Sequence, residues 1–374
     1  MSNINVCIVG IGNCASSLYQ GIHYYSINKI KKGLMSENIG GYYPKNINIV
    51  AAIDIDKRKV GKSLKEAIFS KPNCTPIFYK DVDDGPTVKM GPIMDGVSEI
   101  MKNYDEDNSF RIASSLNEDL NIVELLKNTK TDILINYLPV GSQKATEYYA
   151  NACIEAKVAF LNCIPVFIAS DPEWEKRFIN ANLPLIGDDM KSQFGASILS
   201  QMLQELAFSR GHNVKCHIQR NIGGNTDFLN MTDNNRVKTK KISKENVIRS
   251  QNLIRDISDN SFLHAGPSEY IEYYKDNKIA NFHLELEGFM GSPVILDAQL
   301  SVIDSPNSAG IVIDAIRYLK VAKEIGIIGS LRGPSAFTQK TPPQQMVFSD
   351  TLYECEALSK RELTEITSKQ IKKN

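Results

Sequence analysis

The stretch INVCIVGIGNCASSLYQGIHYYSINKIKKG, residues 4–33, constrains the fold more than any other. A short apolar run leads into a Gly-x-Gly turn, and Leu18, Ile22 and Tyr25 then follow at helical spacing up to Gly33. This order predicts a strand, a tight loop and a helix. INIVAAIDID (47–56) is a second β-rich run with Asp54 near its end, and KRKVGKSLKEAIF predicts the next helix. Alternation of this kind predicts a parallel sheet. Residues 71–115, with KPNC, DDGP and GPIMDG, are rich in turn formers and read as a long decorated connection. TDILINY (131–137), VAFLNC (158–163) and LPLIGDD (183–189) are strand-like, separated by the helix-like SQKATEYYANACIEAK and DPEWEKRFINA. Each of these strands ends at a polar cluster, where open α/β sheets hold their ligands.

After a long helical stretch (191–210) the period changes: FHLELEGF and VILDAQLSVID alternate apolar and polar residues and are joined by MGSP. They read as antiparallel strands of a second, α+β domain. NSAGIVIDAIRYLKVAKEIG (307–326) returns to helical periodicity and is expected to pack back on the first domain.

The chain has 374 residues, 42% hydrophobic and 23% charged, enough for two domains. Lys+Arg and Asp+Glu are both 43, so no global field attracts a polyanion and no nucleic-acid partner is expected. The seven cysteines are odd in number, scattered and never in a CxxC pair, which argues against a disulfide framework or a structural zinc site. A reducing, cytoplasmic setting is expected. There is no basic leader before a long apolar run, and no stretch of about 18 uncharged apolar residues, so no membrane association is expected.

Gly10 and Gly12 stand at the tight-turn and close-approach positions of a dinucleotide loop, although the third glycine is replaced around Ser16. Asp54 comes 44 residues after Gly10, against about 20 in the usual fingerprint, so the intervening helix and MSENIGGYYPKN must enlarge the unit. An acid here would bond ribose hydroxyls and repel a 2′-phosphate, favouring NAD over NADP. The alternative is an α/β fold with another nucleotide or none. GDDMKSQFG puts Asp188 or Asp189 at the nicotinamide end with Lys191 and Ser192 lining the site, or else is a helix cap with a surface ion pair. NIGGNTDFLN (221–230) is either plain turn chemistry or a polar wall for a polyhydroxylated ligand. IDSPNSAG has Asp304 ending a strand and Asn307 or Ser308 capping a helix.

RVKTKKISK (236–244) holds five cations in nine positions, with Lys240 and Lys244 one helical turn apart. Like charges at that spacing weaken a helix, so local stability does not explain them. One account is a solvated charged face. The other is a shared site where the ammonium groups bind a phosphate dianion and lower each other's pKa. Lys278 in KDNKIA and Lys340 in TQKTPP could complete such a cluster.

Together, VGIGNCASSLYQGI, NYLPVGS, GDDMKSQFGAS, NIGGNTDFLNM, KKISK, DSPNSAGIVIDA and KTPPQQ resemble the myo-inositol-1-phosphate synthase family, in its short prokaryotic form, in colinear order over nearly the whole chain. The resemblance implies a Rossmann-type NAD-binding domain, residues 1–195 plus 305–374, with an inserted α+β catalytic and oligomerisation domain, residues 196–304. It implies conversion of D-glucose 6-phosphate to 1L-myo-inositol 1-phosphate by oxidation at C5, enolisation, aldol closure and re-reduction, without net redox change. Lys240 would serve proton transfer at C5, Lys244 and Lys278 phosphate and oxyanion contacts, and Lys340 the C1 oxygen. Lys191, Ser192, Gly195, Asn225, Asp227 and Asp304 would share that site. Gly10, Gly12, Asn13, Cys14, Ala15, Asp54, Asn136, Pro139, Asp188 and Asp189 would contact NAD. A divalent ion (Mg or Zn), with Asp304 as a ligand, or a monovalent cation would assist, and the assembly would be a homotetramer. A simple NAD-dependent dehydrogenase of a phosphorylated sugar or polyol, or a non-enzymatic NAD-binding regulator, are the competing expectations.

Overall fold

A computed structural model describes residues 3–28, 30, 32–114, 120–233, 236, 242–249 and 261–362. Seven parallel strands run in the order β11-β6-β5-β4-β1-β2-β3. They are β1 (Ile4–Val9), β2 (Ile47–Asp54), β3 (Val88–Met90), β4 (Ile133–Asn136), β5 (Ala159–Asn162), β6 (Pro184–Ile186) and β11 (Gly329–Ser330). Alternate β1 residues supply different cores, because successive side chains leave opposite faces of a strand. Val6 and Ile8 pack with α1 (Asn13–Ile27) and α9 (Asp304–Glu324). Cys7 and Val9 pack with α3 (Ile122–Asn128), α4 (Gln143–Ala156) and α5 (Pro172–Asn180).

The second sheet has four strands in the order β10-β9-β7-β8. These are β7 (Asn213–Gly223), β8 (Phe262–Tyr270), β9 (Asn277–Glu287) and β10 (Pro293–Ile303). β9 is antiparallel to both neighbours, whereas β7 and β8 are parallel. Helix α6 (Ala196–Ser209) covers one face through Leu199 and Leu203 against Ala280, Phe282 and Leu284.

Several boundaries differ from the sequence expectation. Only Leu64–Ile68 (α2) of KRKVGKSLKEAIF is helical, because Ser63 and Glu66 form a capping box and Gly61 turns at φ +81 just before it. Helix α6 starts at Ala196, not at 191, so residues 190–195 are free to act as a loop. Asp304 is the first residue of α9, and Asn307 does not cap it: its amide instead pairs with the backbone of Phe194.

The enlarged connection before β2 is anchored on α9. Arg317, buried and paired with Asp314, donates to the carbonyls of Ser36, Glu37 and Tyr42. α7 (Thr226–Asn230), the helical residues 242–249 (α8), α10 (Arg332–Thr338) and α11 (Phe348–Ser359) complete the described elements. Among the described residues no helix is long and apolar enough to cross a membrane. All seven cysteines are free thiols.

Candidate active site

The loop after β1 opens one large cavity. Gly10 sits at φ +90, and a Cβ there would lie 2.6 Å from the Tyr137 carbonyl oxygen, so this close crossing of the β1 and β4 ends needs glycine. A Cβ at Gly12 would meet nothing within 4 Å. Gly12 precedes α1 without a side-chain cap, and Gly12, Asn13 and Cys14 line the cavity, leaving the helix N-terminus to an anion. Asp54 also lines it. One carboxylate oxygen accepts the amide of Ile11 at 2.6 Å, the other those of Ile55 and Asp56 at 2.7 and 2.8 Å, so this acid fixes the glycine loop. Pro92, Met94, Val97, Met101 and Phe110 add an apolar wall suited to a planar base. A dinucleotide fits these residues.

The rest of the wall is polar. Lys244, Lys278 and Lys340 come from α8, β9 and the segment after α10 and meet in this cavity with Ser192, Asn225, Asp227, Asp304 and Pro139. Lys278 is ion-paired with Asp304. Lys340 pairs with Asp189 at 2.9 Å, and Ser243 donates to the other oxygen of Asp189 at 2.8 Å. Asn225 caps α7 and donates to Asp276, whose carboxyl is pushed up by burial and by the nearby Asp304. Burial, then the charges of Asp304, Asp276 and Asp227, push the Cys14 thiol up to about 12, so it is no nucleophile. Lys240 lies outside the described residues.

Other expected contacts do not reach the wall. Ala15 is packed in the core beside β1. Asn136 is buried, with its amide spent on Thr146, Asn162 and the Leu138 backbone. Asp188 is buried and accepts from Asn162, Ile168, Ala169 and Ser170, so it shapes the 168–170 turn. Asn13 does lie at the wall, but its side-chain oxygen is turned onto the amides of Cys74 and Thr75. Gly195 caps α6 behind Ser192.

Lys191 is also buried. Its ammonium donates to the Ala336 carbonyl at 2.7 Å and to Gln201 at 3.3 Å. Desolvation, then the charge of Lys340, pulls its pKa down from 10.5 to about 7. Between those values the unfolded chain holds a proton that the folded one has lost, so this group makes stability rise with pH across that window. Lys191→Met should therefore flatten the urea-unfolding stability between neutral and alkaline pH, by up to about 1.4 kcal/mol per pH unit relative to the parent. Parallel slopes in the two proteins would refute a neutral lysine.

Sequence reading missed Lys59, whose buried ammonium donates to the Ile11 carbonyl at 2.6 Å and to Asn73 at 3.0 Å beneath the glycine loop. It also missed Gln219 of β7, which lines the cavity beside Asn221, the first residue of the polar stretch 221–230. The available signal was HIQRN, with polar residues at alternate positions of a buried strand. No described group of three His, Cys, Asp or Glu residues could hold a metal, and Lys278 already occupies the Asp304 carboxylate. The described side chains therefore form no all-protein metal site, and an ion at Asp304 would need oxygens of the cofactor or substrate to complete its ligands.

A profile of the family described as Myo-inositol-1-phosphate synthase matches residues 195–305. An inositol-3-phosphate synthase of Mycolicibacterium smegmatis is 43% identical over 352 residues, covering 92% of this chain and 94% of that one. Another, of Corynebacterium glutamicum, is 42% identical over 352 residues, covering 92% and 95%. The crystal structure of a myo-inositol-1-phosphate synthase-related protein from Thermotoga maritima superposes with a TM-score of 0.79 at 25% identity, over 96% of this chain and 98% of that one. Near-complete, colinear similarity, together with a glycine loop and three lysines around one cavity, shows that the chain belongs to the inositol-3-phosphate synthase family.

Proposed function

We propose that this chain cyclises D-glucose 6-phosphate to 1L-myo-inositol 1-phosphate (1D-myo-inositol 3-phosphate), with NAD held in the cavity and no net redox change. The observation that carries this reading is the meeting of the glycine loop, Asp54 and the lysines Lys244, Lys278 and Lys340 at one cavity. When bound, NAD supplies a reversible oxidation at C5 of the sugar.

The chain's own residues hold the sugar and its charges. α6 begins without a side-chain cap, and Ala196 and Ser197 lie at the wall, so its N-terminal amides with Lys244 suit a phosphate dianion. Lys278, steadied by Asp304, is assigned to the C5 oxygen, which gains negative charge on enolisation. Lys340, steadied by Asp189, is assigned to the C1 oxygen. Proton transfer at C5 by Lys240 rests on the family resemblance alone. Asn225 and Asp227 are assigned to sugar hydroxyls. The substrate phosphate itself serves as base at C6, which removes the need for a histidine. A homotetramer in the cytoplasm belongs to the same reading. The exposed Phe289, Met290 and Ile295 around the β10 edge form apolar surface that an assembly would cover.

The test uses glucose 6-phosphate with substoichiometric NAD⁺, followed by phosphorus NMR. Inositol phosphate in excess of the NAD⁺ is expected. Product limited to the NAD⁺ supplied, with NADH accumulating, would instead identify a simple dehydrogenase.

A further inference from the structure

An ordered chain of buried amides runs between α6 and β7. Ser200 and Gln204 are one turn apart on α6, and His217, Gln219 and Asn221 alternate along β7, so each set shares one face. All five are buried, and His217 has no exposed surface. The Gly266 carbonyl accepts from Asn221 Nδ2 at 2.8 Å, which fixes the orientation of that amide. Asn221 Oδ1 therefore accepts from Gln219 Nε2 at 3.0 Å, and Gln219 Oε1 accepts the Ser200 hydroxyl at 2.8 Å. With its proton committed, Ser200 accepts from His217 Nε2 at 3.0 Å, and His217 Nδ1 accepts from Gln204 Nε2 at 3.0 Å. The tautomer follows from this network. Burial lowers the imidazole pKa to about 4, so the ring is neutral.

Gln219 and Asn221 reach the cavity wall. Asn221 pairs with Ala280 and Gly223 with Lys278, so the Asn221 amide and the Lys278 ammonium leave the same face of the sheet, one residue pair apart. This is the lysine side of the cavity, where the sugar would lie. Among the described residues Gln219 uses one N–H and one oxygen lone pair, both inside the chain.

We propose that His217 is a positioning residue for the sugar: together with Ser200 it anchors the far end of the chain whose polarity the Gly266 carbonyl sets, holds the Gln219 and Asn221 amides rigidly in that orientation at the wall, and so sharpens selection of the hydroxyl pattern of the hexose phosphate. This rests on the cyclisation reading and names the specificity of the same site. Amides of fixed polarity favour a matching hydroxyl and leave a polar atom unpaired when that hydroxyl is missing or inverted.

The test compares His217→Leu, His217→Gln and Ser200→Ala with the parent. It measures kcat and KM for glucose 6-phosphate, mannose 6-phosphate, galactose 6-phosphate and 2-deoxyglucose 6-phosphate, NAD⁺ binding, and sugar binding by calorimetry with NAD⁺ present. His217→Leu and Ser200→Ala should keep NAD⁺ affinity and lose about tenfold in discrimination among the sugars, mainly through KM. His217→Gln, whose side-chain amide can still donate to Ser200, should keep the discrimination. Should His217→Leu fail to fold, Ser200→Ala decides. Parental discrimination in Ser200→Ala, or loss of folded fraction with unchanged KM, would overturn the proposal. A parent that binds these sugars selectively without forming inositol phosphate would refute cyclisation alone, since calorimetry still reads the discrimination. A parent that binds none of them overturns both.

Discussion

Lys278→Ala should keep NAD⁺ affinity and lose a factor on the order of 10²–10³ in kcat with glucose 6-phosphate. Lys278 enters the cavity from the start of β9, where the ladder sets it opposite Gly223 on β7 and Val302 on β10. Its ammonium is held by Asp304, the first residue of α9, so it is fixed before any charge develops on the substrate. A preorganised cation of this kind acts on charge that exists only after enolisation, so its removal should lower kcat more than it raises KM. Alanine also leaves Asp304 without that counter-ion near Asp276, whose carboxyl already feels it. Lys278→Arg keeps a positive charge and separates the two effects: a broad guanidinium should preserve stability and still lose most turnover. Steady-state kinetics beside NAD⁺ titration provide the check, and near-parental kcat in the alanine variant would remove Lys278 from the chemistry.

The second large effect is a contrast between two neighbouring glycines. Gly10→Ala must fit a Cβ 2.6 Å from the Tyr137 oxygen at φ +90, and the neighbour is backbone at the end of β4. Positive φ and the overlap together should cost about 2–5 kcal/mol of stability and displace the loop, weakening NAD⁺ about a hundredfold or more. Gly12→Ala has ordinary φ and open space in the structure, so its melting should stay close to the parent's. It should nevertheless weaken NAD⁺, because in the proposed reading the dinucleotide would take that open space. Thermal melts with calorimetric NAD⁺ titrations read both. Unchanged NAD⁺ affinity in Gly12→Ala would place the cofactor elsewhere.

Local chemistry made much of this legible. The turn at Gly10 and the strands ending at Asp54 and near Asp188 follow from residue type and period over a few positions. Residues 71–115 resisted because nothing periodic marks Pro92, Met94, Val97, Met101 and Phe110 as one wall. Asp188 and Asp189 show the limit most clearly. Adjacent and chemically identical, one is spent on the 168–170 turn while the other meets Lys340 at the cavity, and only the backbone path through them separates the two. Lys191, expected at the wall, instead points at the Ala336 carbonyl.

By itself the sequence determined the alternation of strand and helix, the glycine turn, the change of period near the second sheet, and the family. Those properties depend on neighbours within a turn or a strand, and on the order of long motifs. Only the tertiary structure decided that Lys244, Lys278 and Lys340 share a cavity, that Ala15 and Asn136 face inward, and that His217, Ser200 and Gln219 form one directed chain. Such contacts join residues far apart in the chain. They are fixed by sheet order and by which buried polar atoms must find partners, neither of which is written in any local stretch.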